Sequence, residues 1–127
     1  MILNGHTYGY RNIINGISTF VDTAATTVAA FATLTVKTLI GKGKRGARDA
    51  SCSLTQWKLS IPTVATEATA CSCVGDVLSQ VDVHIEFRSD AASTEAHLQE
   101  ALDQLDDLVA NAQFRASVLQ HTQPTQS

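Results

Sequence analysis

The chain has 127 residues, 44% hydrophobic and 17% charged, the make-up of one globular domain with a real core and no room for a second. No apolar run approaches the ~18 residues of a membrane span, and the opening MILNGHTYGYRN lacks the basic head and apolar stretch of a signal peptide, so folding in a cytosol is expected. The formal net charge of −3 hides a division: residues 1–48 carry six Lys/Arg against one acid and residues 49–127 three against eleven, which means either two faces with different partners or simply differently charged solvated loops.

Up to the helical pattern that begins near Ser93, the chain reads as β-structure, with Ala, Thr and Val dominating TAATTVAAFATLTVKTLI and Gly and Asn punctuating the residues before it. In TLTVKTL, Leu34 and Val36 share one face, and Thr33, Thr35 and Lys37 the other. The Gly-rich GKGKRGARDAS (41–51), with four bases, is a long hairpin loop. In TQWKLSIP, Trp57, Leu59 and Ile61 alternate with Gln56, Lys58 and Ser60, and Pro62, lacking an N–H, is expected to end the ladder.

The stretch TACSCVGD follows, a loop holding two of the three cysteines. Cys71 and Cys73 are poorly placed to bond each other, since a disulfide wants α-carbons ~5.5 Å apart with facing side chains, whereas residues i and i+2 of an extended stretch point the same way. Their partner is a metal, another chain, or nothing. In LSQVDVHIEF, Val81, Val83, Ile85 and Phe87 then alternate with Gln80, Asp82, His84 and Glu86. Strands with one apolar and one polar face describe an antiparallel sheet covered on one side. The polar face is either wet or functional.

After Ser93 the period changes. Leu98, Ala101, Leu102, Leu105, Leu108, Val109 and Ala112 follow the spacing of an amphipathic helix, capped by Ser93 or Thr94, with Glu95 favourable at its positive end. Asn111 marks a break, and Phe114, Val118 and Leu119 suit a second, shorter helix before the polar tail HTQPTQS. The layout is α+β: an antiparallel sheet followed by two helices on its apolar face, in one domain over 1–127, with 1–30 as an N-terminal hairpin region, 31–90 as the main sheet and 93–121 as the helices.

Three kinds of chemistry have candidate residues. A metal site from Cys52, Cys71, Cys73 and His84 lacks the CxxC or His-x₃–₅-His spacing of zinc sites. His84 between Asp82 and Glu86 can support acid–base work, but such a row on a sheet face is more often solvated or partner-facing, and no nucleophile elbow or phosphate-binding loop occurs. EALDQLDDL makes the helix side repel nucleic acid, so RNA would have to meet the sheet, where Lys37, Lys58, Arg88 and the 42–48 bases can contact phosphates. The polar face has no aromatics for base stacking, and Trp57 belongs to the apolar set.

The succession WKLSIPTVAT, a short Gly-containing loop, LSQVDVHIEF and STEAHLQEALDQLDDLVANAQF resembles the coat proteins of the small single-stranded RNA bacteriophages, the levivirus type, from about residue 33 to 121. The resemblance implies a five-stranded antiparallel sheet with an N-terminal hairpin and two C-terminal helices that reach over a two-fold partner, so that an intertwined dimer shares one sheet. It further implies an icosahedral shell assembled in a bacterial cytoplasm. The polar sheet face would lie against the packaged genome and bind an RNA hairpin that represses replicase translation. No cofactor, metal, membrane or enzymatic activity is implied; the alternatives are a small metal-dependent enzyme or metal-binding domain using Cys71, Cys73 and His84, or a cellular dimeric RNA-binding regulator.

Carried onto this chain, the RNA-facing positions are Gln56 and Lys58, then Leu78, Gln80 and in part Asp82, with Thr33, Thr35 and Lys37 on the earlier strand. Leu78 stands where some members stack an aromatic on a base. The dimer interface falls on Leu98, Leu102, Leu105, Leu108, Val109 and Phe114. TEATACSCVGD matches the loop lining the symmetry openings of the shell, where some members link neighbouring dimers covalently. This implies inter-subunit disulfides through Cys71 and Cys73, with Cys52 unpaired.

Overall fold

The computed structural model describes residues 1–25, 30–41, 53–65, 68, 73–90 and 93–123. Six strands, β1 (Ile2–Leu3), β2 (His6–Ile14), β3 (Ile17–Asp22), β4 (Thr33–Leu39), β5 (Ser53–Val64) and β6 (Val77–Ser89), form one sheet in sequential order, every pair antiparallel. Two helices follow, α1 (Glu95–Ala110) and α2 (Ala112–Gln120). Residues 1–91 and 92–127 are two compact units.

The N-terminal region owes its shape to two Asn-Gly dipeptides. Asn4 (φ 48°) and Gly5 (φ 81°) turn β1 into β2, and Asn15 (φ 52°) and Gly16 (φ 76°) turn β2 into β3. Two successive residues with positive φ make the tight turn whose twist matches a hairpin, and Asn-Gly tolerates it best. The hairpin is continuous with the main sheet, since β3 pairs with β4 from Ile17↔Lys37 to Val21↔Thr33. The β4–β5 connection lies outside the described residues, but the strands flanking it pair antiparallel to Leu39↔Leu54, as a hairpin requires.

Alternation sets the faces as the sequence predicts. Phe20, Leu34 and Leu59 stand in one cross-strand row, and Val36, Trp57 and Ile85 in the next, so the apolar sets coincide. The core gathers there: Tyr8, Ala32 and Leu34 are buried, with Phe20, Trp57 and Leu59 packed against them. Met1 and Leu3 fold onto the same face, lining with Leu34, Trp57, Leu59 and Val83 a pocket of about 200 Å³. Burial pushes the Tyr8 hydroxyl above its ordinary range, with the negative Asp22 adding to the effect. Asp22 itself is buried and satisfied, accepting from the Ala24 N–H at 3.0 Å and meeting His6 Nδ1 at 3.0 Å.

Pro62 does not end its strand. It stands opposite Gln80, and β5 runs on to Val64. Strand β4 accompanies β5 only as far as Ser60, so beyond that point β5 has a single neighbour. Proline is tolerated where its nitrogen faces such an open side.

In the second unit Thr94 is the N-cap of α1. Its hydroxyl accepts from the His97 N–H at 3.3 Å while its own N–H donates to His97 Nδ1 at 3.2 Å, a reciprocal box with histidine in the usual glutamate's place. Asn111 is the break expected from the sequence. Its N–H donates to the Leu108 carbonyl, closing α1, and its side-chain oxygen accepts from the Gln113 and Phe114 N–H groups at 2.9 and 3.3 Å, opening α2. His121, left-handed at φ 55°, closes α2.

Candidate nucleic-acid interface

Directly opposed residues of antiparallel strands share a face, and the register arranges the polar face in rungs. One rung is Ile17, Lys37, Gln56 and Glu86; the next is Thr19, Thr35, Lys58 and His84; the third is Val21, Thr33, Ser60 and Asp82. Gln80 follows opposite Pro62; beyond Ser79 the register with β5 shifts, and Leu78 is passed over in the pairing. The structure thus brings Thr33, Thr35, Lys37, Gln56, Lys58 and Gln80 together on one side of the sheet, while the register does not assign Leu78 to it.

The two carboxylates of this face are engaged by neighbours. Asp82 Oδ1 accepts from Ser60 Oγ at 2.7 Å and Gln80 Nε2 at 3.0 Å, and Gln80 Nε2 also donates to Ser60 Oγ at 2.9 Å. These bonds, Gln80's first, hold the Asp82 carboxyl below the usual carboxylate range, with His84 assisting and burial opposing. Glu86 accepts from Gln56 Nε2 at 3.3 Å and from Arg88 Nε at 2.9 Å. Arg88, expected as a phosphate contact, is therefore paired within the sheet, and Gln56 and Gln80 spend donors on acids. Lys37, Lys58 and His84 make no hydrogen bond or ion pair among the described residues.

Cys73 precedes β6, whereas His84 lies seven residues beyond the strand's first residue. Val77 and His84 lie ~23 Å apart along β6, and the four residue steps from Cys73 to Val77 span at most ~14 Å. Among the described residues no cluster of metal-binding side chains occurs. Cys52 and Cys71 lie outside the described residues. Cys73 is a free, exposed thiol in a turn pinned by its own N–H donating to Asp76 Oδ2 at 2.7 Å. The neck of that connection is closed by Ala65 N–H to Asp76 carbonyl and Gly75 N–H to Ala65 carbonyl, both 2.9 Å.

Among the described residues each unit has one exposed apolar feature. Among the described residues strand β6 has one strand neighbour, β5, so its thirteen residues present one unpaired edge. Val81 is 59% exposed and Val83 40%. On the helices, Leu98, Leu102, Leu108 and Val109 are exposed, while Leu105 and Phe114 are half-buried.

Sequence reasoning passed over the Asn-Gly turns, although that dipeptide between alternating segments is the strongest short-range hairpin signal. Nor does the helical periodicity single out His97 as a capping partner. A Thr three residues before a side chain able to accept a hydrogen bond was the available signal.

No family model and no curated protein matches the sequence. Solved structures do match in fold. The subunit of the virus-like particle of Beihai levi-like virus 21 superposes with a TM-score of 0.78 at 15% identity, covering 98% of this chain and 94% of that one. The virus-like particle of bacteriophage NT-214 gives 0.73 at 15% identity, covering 94% and 87%. The coat protein of bacteriophage EMS014 gives 0.62 at 19% identity, covering 84% and 65%. The chain has the levivirus coat-protein fold: an antiparallel sheet followed by two C-terminal helices.

Proposed function

We propose that this chain is the structural subunit of an icosahedral RNA-phage shell, with no enzymatic role, assembled as dimers in a bacterial cytoplasm. The observation that carries the reading is the correspondence of nearly the whole chain with subunits of virus-like particles. The open β6 edge supports it. A long unpaired edge with exposed Val81 and Val83 invites pairing with another chain, and a two-fold partner whose helices cross the apolar face would cover both exposed features at once. Electron microscopy of the purified protein tests this: uniform hollow particles are expected, and dimers carrying stoichiometric zinc would overturn it.

The polar face is the RNA side of the proposed shell, and also the surface that would bind an RNA hairpin and repress replicase translation. Its free cations support this, and the acidic α1 side argues against RNA meeting the helices. Lys58→Ala, alone or with Lys37→Ala, is expected to weaken RNA binding while leaving assembly intact. For single-stranded RNA the slope of log affinity against log salt should fall by about 0.7 per lost phosphate contact. Titrations at several salt concentrations measure it, and an unchanged slope would remove this face from RNA binding.

Cys71 and Cys73 are proposed to form disulfides between neighbouring dimers around the shell's openings, each thiol reaching a different neighbour. Exposure of Cys73 in a pinned turn supports this. Oxidation would follow release from the reducing cytosol. Non-reducing gels of particles should show ladders ending near five and six dimers that collapse with reductant. The Cys71→Ser, Cys73→Ser double variant should still assemble but melt at lower temperature, since a bridge contributes ~2–4 kcal/mol. Monomer alone from oxidised particles would refute the linkage and leave the shell standing.

A further inference from the structure

The middle rung of the polar face differs from those on either side. The outer rungs hold carboxylates occupied by internal donors, Glu86 by Gln56 and Arg88, and Asp82 by Ser60 and Gln80. Between them Lys58 stands directly opposite His84, both exposed and neither in a hydrogen bond or ion pair among the described residues. Opposed side chains on a sheet have Cβ atoms ~5 Å apart, so the ammonium and the imidazole can converge on one anion the size of a phosphate. Thr35 and Thr19 continue the rung with hydroxyls.

We propose that Lys58 and His84 together seat one phosphate of the RNA backbone, and that protonation of His84 makes the seat pH-dependent. The proposal rests on the RNA-side reading above and adds a residue and a regulation to it. Imidazole is the side chain that gains charge between pH 8 and 5. The groups facing His84 are Lys58 from β5 and Asp82 and Glu86 from its own strand. Lys37 and Arg88 lie further off on the same face, and in the proposed dimer the second copy's β6 would bring its own Asp82, His84 and Glu86 along the other side. Asp82, held below the usual carboxylate range, stays ionised through this window. A protonated imidazole would add its charge to that of the Lys58 ammonium, so RNA is held more tightly as pH falls.

The test is fluorescence anisotropy of a labelled single-stranded RNA oligonucleotide with the full chain, at pH 7.5 and 5.5 over a series of salt concentrations. The wild-type salt slope should steepen by about 0.7 at the lower pH, one added phosphate contact on single-stranded RNA, with a several-fold gain in affinity. His84→Gln should abolish the difference, His84→Lys should show the steeper slope at both pH values, and His97→Gln should behave as wild type. RNA binding with the same slope at both pH values, or a pH difference that survives in His84→Gln, overturns the seat but not the RNA face. Absence of RNA binding at either pH, with Lys58→Ala indistinguishable from wild type, overturns both.

Discussion

Leu105→Asp should yield a helical chain that forms no particles. Leu105 is the one residue of α1 that is not exposed, and it sits at the centre of the stripe running from Leu98 through Leu102 to Leu108 and Val109. In the proposed dimer that stripe lies against the second copy. An unpaired carboxylate there costs about 4 kcal/mol or more, which lowers an association constant roughly a thousandfold. Circular dichroism should show the helices retained, because aspartate at mid-helix costs less than ~1 kcal/mol in propensity. Electron microscopy and size-exclusion chromatography read the assembly, with Leu105→Met as the tolerated control. Normal particle yield from the aspartate variant would mean that the α1 stripe is not an assembly surface.

The second large effect concerns the core. Leu34, 4% exposed, is among the most buried side chains described and lies between Phe20 and Leu59 across the sheet. Leu34→Ala removes three carbons from a site walled by Tyr8, Trp57 and Leu59, and should cost about 3 kcal/mol. That is a large share of the 5–15 kcal/mol available to a typical domain. Ile40→Ala, at a residue 92% exposed just past β4, should change stability by less than ~0.5 kcal/mol. Denaturant unfolding measures both, and a Leu34→Ala midpoint equal to wild type would show that the core lies elsewhere.

How much was legible from the residues follows from what each signal depends on. Alternation is local, so Trp57, Leu59 and Ile61, and Val81, Val83 and Ile85, declared their face without a structure. Asn111 was legible because one short side chain competes with the helix for its own backbone. Pro62 misled, because whether a missing N–H matters depends on where the neighbouring strand stops, and β4 stops at Ser60. The candidate site was legible as a set and not as an arrangement. Lys58 and His84 lie on different strands, and their opposition depends on register, which the local pattern of neither strand contains. Nor does composition reveal that Gln56, Gln80 and Arg88 are spent on neighbouring acids.

The sequential strand order has a consequence for synthesis. Each strand pairs with the one made just before it, so the sheet zips up hairpin by hairpin with no distant segment to await. Both helices lie beyond β6 in the chain, and at ~5–20 residues per second they emerge ~2–6 s after the last strand. During that interval the nascent chain already carries its open edge, while the elements proposed to lock a dimer do not yet exist. Neighbouring ribosomes on one message hold such edges at high local concentration. In the proposed dimer, partner choice would thereby be biased toward chains born on the same RNA.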